Sequence, residues 1–208
     1  LRSYRMGFVR HLLLEVADRR AAKRFLAVSV AGGDAETPAI THDLDWGAVK
    51  PDLCFNIGIT YEGLKVLGTP AASLATFPTE FIEGMNARAL KLGDFGDSSP
   101  EKWPAPFDKP KSLHLIASIY AQDEAHVERV QPQVEKSFNL LGVRKGQALG
   151  DHKVYFGYRD DISQPRFRGV KDDQTNNADE PVDELGTALL GHPTRLEGLM
   201  FRVPSPPE

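Results

Sequence analysis

The chain has 208 residues, 41% of them hydrophobic and 26% charged, with a net charge of −4 and a single cysteine, Cys54. This is the make-up of a globular chain of about one domain, with no basic excess to attract nucleic acid or an anionic membrane and no cysteine framework for a disulfide, zinc or iron–sulfur site. No apolar stretch reaches transmembrane length and no charged start leads into an apolar core, so no membrane partner and a cytoplasmic location are expected; the chain begins at Leu1, and an address removed before it stays open.

From the amino terminus, Leu12, Leu14 and Val16 alternate as a half-buried strand requires. Asp18 is an N-cap for a helix carrying Phe25, Leu26 and Val30, which Gly32 and Gly33 end. A polar excursion over 34–52 follows, with Trp46 as its expected anchor. Leu53, Phe55, Ile57 and Ile59 then alternate with Cys54, Asn56 and Gly58 as a second strand, in which Cys54 reads as a small buried hydrophobe. Thr60 caps a short helix over 61–67 that Gly68 and Pro70 stop. Pro78 opens another, with Phe81, Met85, Ala89 and Leu92 at helical spacing.

Pro100, Pro104, Pro106 and Pro110 mark an irregular connection. Leu113, Leu115, Ala117 and Ile119 form a third strand. Asp123 then caps a helix with the stripe Val127, Val130, Val134, Phe138 and Leu141, in which Pro132 should kink or break the helix. The run 154–157 is expected as the fourth strand. The order describes two split βαβ units, hence an α+β, ferredoxin-like fold: a four-stranded antiparallel sheet with helices on one face. This domain is assigned to 1–160. Residues 161–208 hold six prolines and 9 acidic against 5 basic groups, against 20 of each in 1–160. They are expected to be an irregular, Pro-rich arm or linker.

The most specific stretch is Val154-Tyr-Phe-Gly-Tyr-Arg-Asp-Asp-Ile-Ser-Gln-Pro165. A strand running into a turn holds Asp160 at a strand end, where an acid can sit in a preformed pocket. The pattern Gly157-Tyr-Arg-Asp160-Asp161 resembles the Gly-x-x-Asp-Gly signature of dye-decolorizing haem peroxidases, the last glycine being replaced. Other landmarks resemble the amino-terminal half of that family in order and spacing. They are Asn56-Ile-Gly-Ile-Thr-Tyr-Glu-Gly-Leu-Lys-Val-Leu-Gly68, the run 74–85, Leu92-Gly-Asp94, Trp103, Ala121-Gln-Asp123, Leu189-Leu-Gly191 and Val203-Pro-Ser-Pro-Pro207.

The resemblance implies a haem-dependent peroxidase that uses hydrogen peroxide to oxidise dyes and phenolic, bulky aromatic donors by one electron, with haem b as cofactor. It implies that Asp160 is the acid–base residue above the haem, and that Asp161, Ile162, Ser163 and Gln164 line the distal side of the cofactor. It also implies a carboxy-terminal ferredoxin-like half, in cis or in trans, that supplies the proximal histidine and an arginine. None of His11, His42, His114, His126, His152 and His192 lies in a stretch resembling the proximal segment, so no metal ligand is assigned. The chain is expected to be the distal-side half, incomplete and inactive alone.

Three readings stay open from the residues. Asp161 beside Asp160 either tunes the acid, since adjacent carboxylates raise one another's pKa, or marks a degraded site. Arg159 is next to Asp160 in a strand-like segment and points to the other side, as a surface or ion-pairing residue. Tyr155, Tyr158 and Trp103 are core aromatics or carriers of electrons to a haem. The alternative function is a non-catalytic ferredoxin-like module that binds a ligand or partner on its open sheet face, a face that also suits homo-oligomer contact.

Overall fold

The computed structural model describes residues 6–41 and 49–158, together with the backbone of 166–167 and 182–183. The chain divides into two compact units, Leu1–Ala148 and Leu149–Glu208. The first contains β1 (Phe8–Glu15), α1 (Arg19–Val30), β2 (Leu53–Ile59), α2 (Tyr61–Leu67), α3 (Ala71–Leu74), α4 (Thr79–Ala87), α5 (Ala89–Leu92), β3 (Leu115–Ala121), α6 (Glu124–Glu135) and β4 (Asn139–Gln147). The second contains β5 (Arg166–Phe167) paired in parallel with β6 (Val182–Asp183).

The four long strands make one sheet in the order β2-β3-β1-β4, each adjacent pair antiparallel. That is the sheet order of two interleaved βαβ units, as the ferredoxin-like reading requires. Leu12 faces Ala117, Leu14 faces Leu115, and Phe55 faces Ile119, so one face of three strands is apolar. Ala22 and Phe25 of α1, and Val127, Val130 and Val134 of α6, close over that face. Phe25 binds the two sides together, meeting Phe138 edge-on at 5.3 Å and Phe55 at 6.3 Å. Each large side chain so buried contributes about 1.5–3 kcal/mol of transfer free energy.

The helix starts follow from their caps. The Asp18 carboxylate accepts from the N–H groups of Arg20 and Ala21 at 2.7 and 3.0 Å, and Asp123 accepts from the N–H of His126 at 2.9 Å. Thr60 accepts from the N–H of Gly63 at 3.0 Å, and Gly68 ends α2 in the left-handed conformation. Pro132 lies in the body of α6 without breaking it.

Three expectations are corrected. The run 154–157 is not a strand: the N–H of Gly157 donates to the carbonyl of Val154 at 2.9 Å, and the N–H of Val154 donates to that of Tyr158 at 2.8 Å. These bonds close a turn around Gly157 at φ +85, and a ladder has no room for them. The fourth strand is β4, where Gly142 and Gly146 interrupt the apolar alternation and hide the strand period. Leu141 therefore belongs to β4 and not to the helix; the register of β4 on β1 shifts beside it, from Gly142 opposite Leu13 to Leu140 opposite Leu14. Finally, the run from Pro78 is not one continuous helix: Gly84 takes φ +69 and kinks α4, α5 starts only after Arg88, and Met85 and Leu92 face solvent. Trp46 and His42 lie outside the described residues. No helix among the described residues is long and apolar enough to cross a membrane.

Candidate functional site

Asp160, Asp161, Ile162, Ser163 and Gln164 all lie outside the described residues, as do Arg159 and His192. What is described is the segment that leads to them. After a 3-10 turn over Gly150–His152, in which Asp151 takes φ +57, the N–H of Lys153 donates to Gly150 at 3.2 Å. The closed turn over 154–158 comes next. It holds Tyr155, Phe156 and Tyr158 at 89%, 84% and 74% exposure, so these aromatics are not core residues. Tyr155 and Phe156 meet one another edge-on at 5.9 Å. The polypeptide thus enters the acidic pair from a hydrogen-bonded turn whose side chains face outward.

Two of the described histidines, His114 and His126, serve the fold. His114 is buried, its Nδ1 accepts the N–H of Val16 at 2.9 Å, and its Nε2 lies 3.0 Å from the carbonyl of Lys111. Both ring nitrogens are used, so no lone pair is left for a metal. His126 pairs through Nδ1 with the capping carboxylate of Asp123 at 2.7 Å. The Asp123 carboxyl is held below its ordinary range, first by the backbone N–H of His126 and then by its ring. Cys54 is fully buried, and burial pushes its thiol up to about 11, which leaves it protonated and unreactive. Trp103 donates its indole N–H to the carbonyl of Ser98 at 2.8 Å, a tether for the proline-rich connection.

Two polar features come from the structure and not from the sequence reading. Arg10 is on the helix-covered face of β1, 8% exposed, and bonds Gln131 at 2.9 Å and Glu124 at 2.8 Å on α6. Its position in an otherwise apolar alternation was the only clue. The second is a row across the opposite face, in which Asn56, Ser118, His11 and Arg144 stand side by side on β2, β3, β1 and β4. His11 Nδ1 and Ser118 Oγ are 2.8 Å apart, and the His11 ring meets Tyr120 edge-on.

Among the described residues no carboxylate is hydrogen-bonded to His11, so the pair lacks the orienting acid that a nucleophilic serine needs. Arg144 is engaged elsewhere, donating to the carbonyl of Ala105 at 2.9 Å and lying over the ring of Phe107. Among the described residues no three His, Cys, Asp or Glu side chains stand together as a metal site.

No family model matches the chain, and no curated protein matches it in sequence. Solved structures do match. A decolorizing peroxidase from Auricularia auricula-judae superposes with a TM-score of 0.67 at 18% identity, over 89% of this chain and 40% of that one. A dye-decolorizing peroxidase in complex with 2,6-dimethoxyphenol gives 0.66 at 24% identity, over 92% and 42%. A dye-decolorizing peroxidase whose heme pocket was engineered for asymmetric sulfoxidation gives 0.66 at 18%. At these identities the likeness is one of fold, the fold the sequence resemblance implied. The chain spans about two fifths of the length of these structures.

Proposed function

We propose that this chain is the distal, aspartate-bearing part of a haem peroxidase of the dye-decolorizing kind. The observation that carries the reading is the coincidence of a fold and a motif. The backbone superposes on such peroxidases over nine tenths of the chain, and in the sequence Asp160 follows the turn glycine Gly157 with the spacing of their signature.

In this reading haem b supplies the redox chemistry when bound, and Asp160 to Gln164 would line it from the distal side. The Asp160 carboxylate would take a proton from one oxygen of hydrogen peroxide and give it to the other, which could then leave as water, the two electrons that cleavage of the O–O bond requires being what the haem would supply. Acid–base groups of this kind contribute about 10²–10⁴ in rate. Bulky aromatic donors then supply single electrons. The resemblance, and not the histidines present, assigns the iron ligand to a second ferredoxin-like half, in cis or in trans; His114 has both ring nitrogens occupied, and His126 pairs with a capping carboxylate.

Titration with haemin, followed by peroxide-dependent oxidation of 2,6-dimethoxyphenol, tests the proposal on the product of the whole gene. Uptake of haem with turnover supports it. A product that stays colourless and does not consume peroxide overturns it, and favours the second reading, a non-catalytic ferredoxin-like module. That reading draws on Asp161, a charged side chain where the signature has glycine.

A further inference from the structure

We draw no further inference here: the strongest candidate, the surface concavity beside α5 where Asp94, Glu101 and Asp108 stand next to the exposed Leu90 and Phe95, is an acidic cluster on an apolar patch, and nothing in the structure shows what covers it.

Discussion

Gly63 of α2 is pressed against the backbone of His114: a methyl group built on its Cα would overlap the carbonyl oxygen and stand 2.9 Å from the carbonyl carbon. That oxygen cannot step aside easily, because it also accepts the N–H of Thr60 at 3.0 Å. The Thr60 hydroxyl meanwhile donates to the carbonyl of Leu113 at 2.8 Å. Helix α2 is thus held at backbone contact on the residues that open β3. Gly63→Ala should destabilise the fold by about 3 kcal/mol, at the upper end of overpacking substitutions. Chemical denaturation measures it; a change below about 1 kcal/mol would mean that α2 is free to shift.

Ser29 points the other way. It is 1% exposed on α1, and its Oγ has no hydrogen-bond partner among the described residues. Its carbonyl, which accepts the N–H of Ile40 at 2.9 Å, is independent of the side chain. Ser29→Ala removes a buried unsatisfied hydroxyl and improves helix propensity, so it should raise stability by about 1 kcal/mol. A loss of stability in urea unfolding would reveal a partner for the hydroxyl.

Acid should loosen the helix starts. The Asp18 carboxyl is held below its ordinary range, first by the N–H of Ala21 and then by that of Arg20, and Asp123 is held down likewise by His126. A carboxylate favoured in the folded chain contributes fully above the unfolded carboxylate range. That contribution disappears as pH falls through the lower, folded value. The thermal midpoint should therefore fall on acidification from about pH 7 to about pH 3. In the double variant Asp18→Asn, Asp123→Asn it should fall less, because asparagine caps without titrating. Identical pH slopes for the two proteins would refute the assignment.

Asp160→Asn tests the proposed chemistry on the haem-loaded product of the gene. The substitution keeps size and removes the titratable proton. Haem uptake should be unchanged, while the rate of reaction with peroxide drops by about 10²–10⁴. Stopped-flow mixing near the pH optimum reads it, and a rate within about threefold of the parent would make Asp160 a turn residue only.

The parts of this fold that were legible in the sequence are those written in local chemistry. Asp18, Thr60 and Asp123 are capping side chains whose acceptors reach N–H groups two or three residues on, and the alternation of Leu53, Phe55, Ile57 and Ile59 is a strand period. The illegible parts depend on distant contacts. β4 carries two glycines, two cations and a register shift, so its strand identity comes from pairing with β1 and not from its own pattern. The run 154–157 has the opposite character. Val154, Tyr155 and Phe156 have strong strand propensity, yet the positive φ of Gly157 folds the backbone back on itself. Arg10 was invisible for a similar reason, since its partners Glu124 and Gln131 lie more than one hundred positions away.

The order of the strands carries a consequence for how the chain is made. β1 lies in the interior of the sheet, and its neighbours are β3 and β4; the bonds that hold it, His11 to Ser118 and Glu15 to Asn139, join residues 107 and 124 positions apart. On a ribosome moving at roughly 5–20 residues per second, the leucine triplet at 12–14 emerges on the order of ten seconds before any strand exists to receive it. During that interval this apolar segment is unpaired, the kind of surface that holdase chaperones recognise and that seeds aggregation when they are absent.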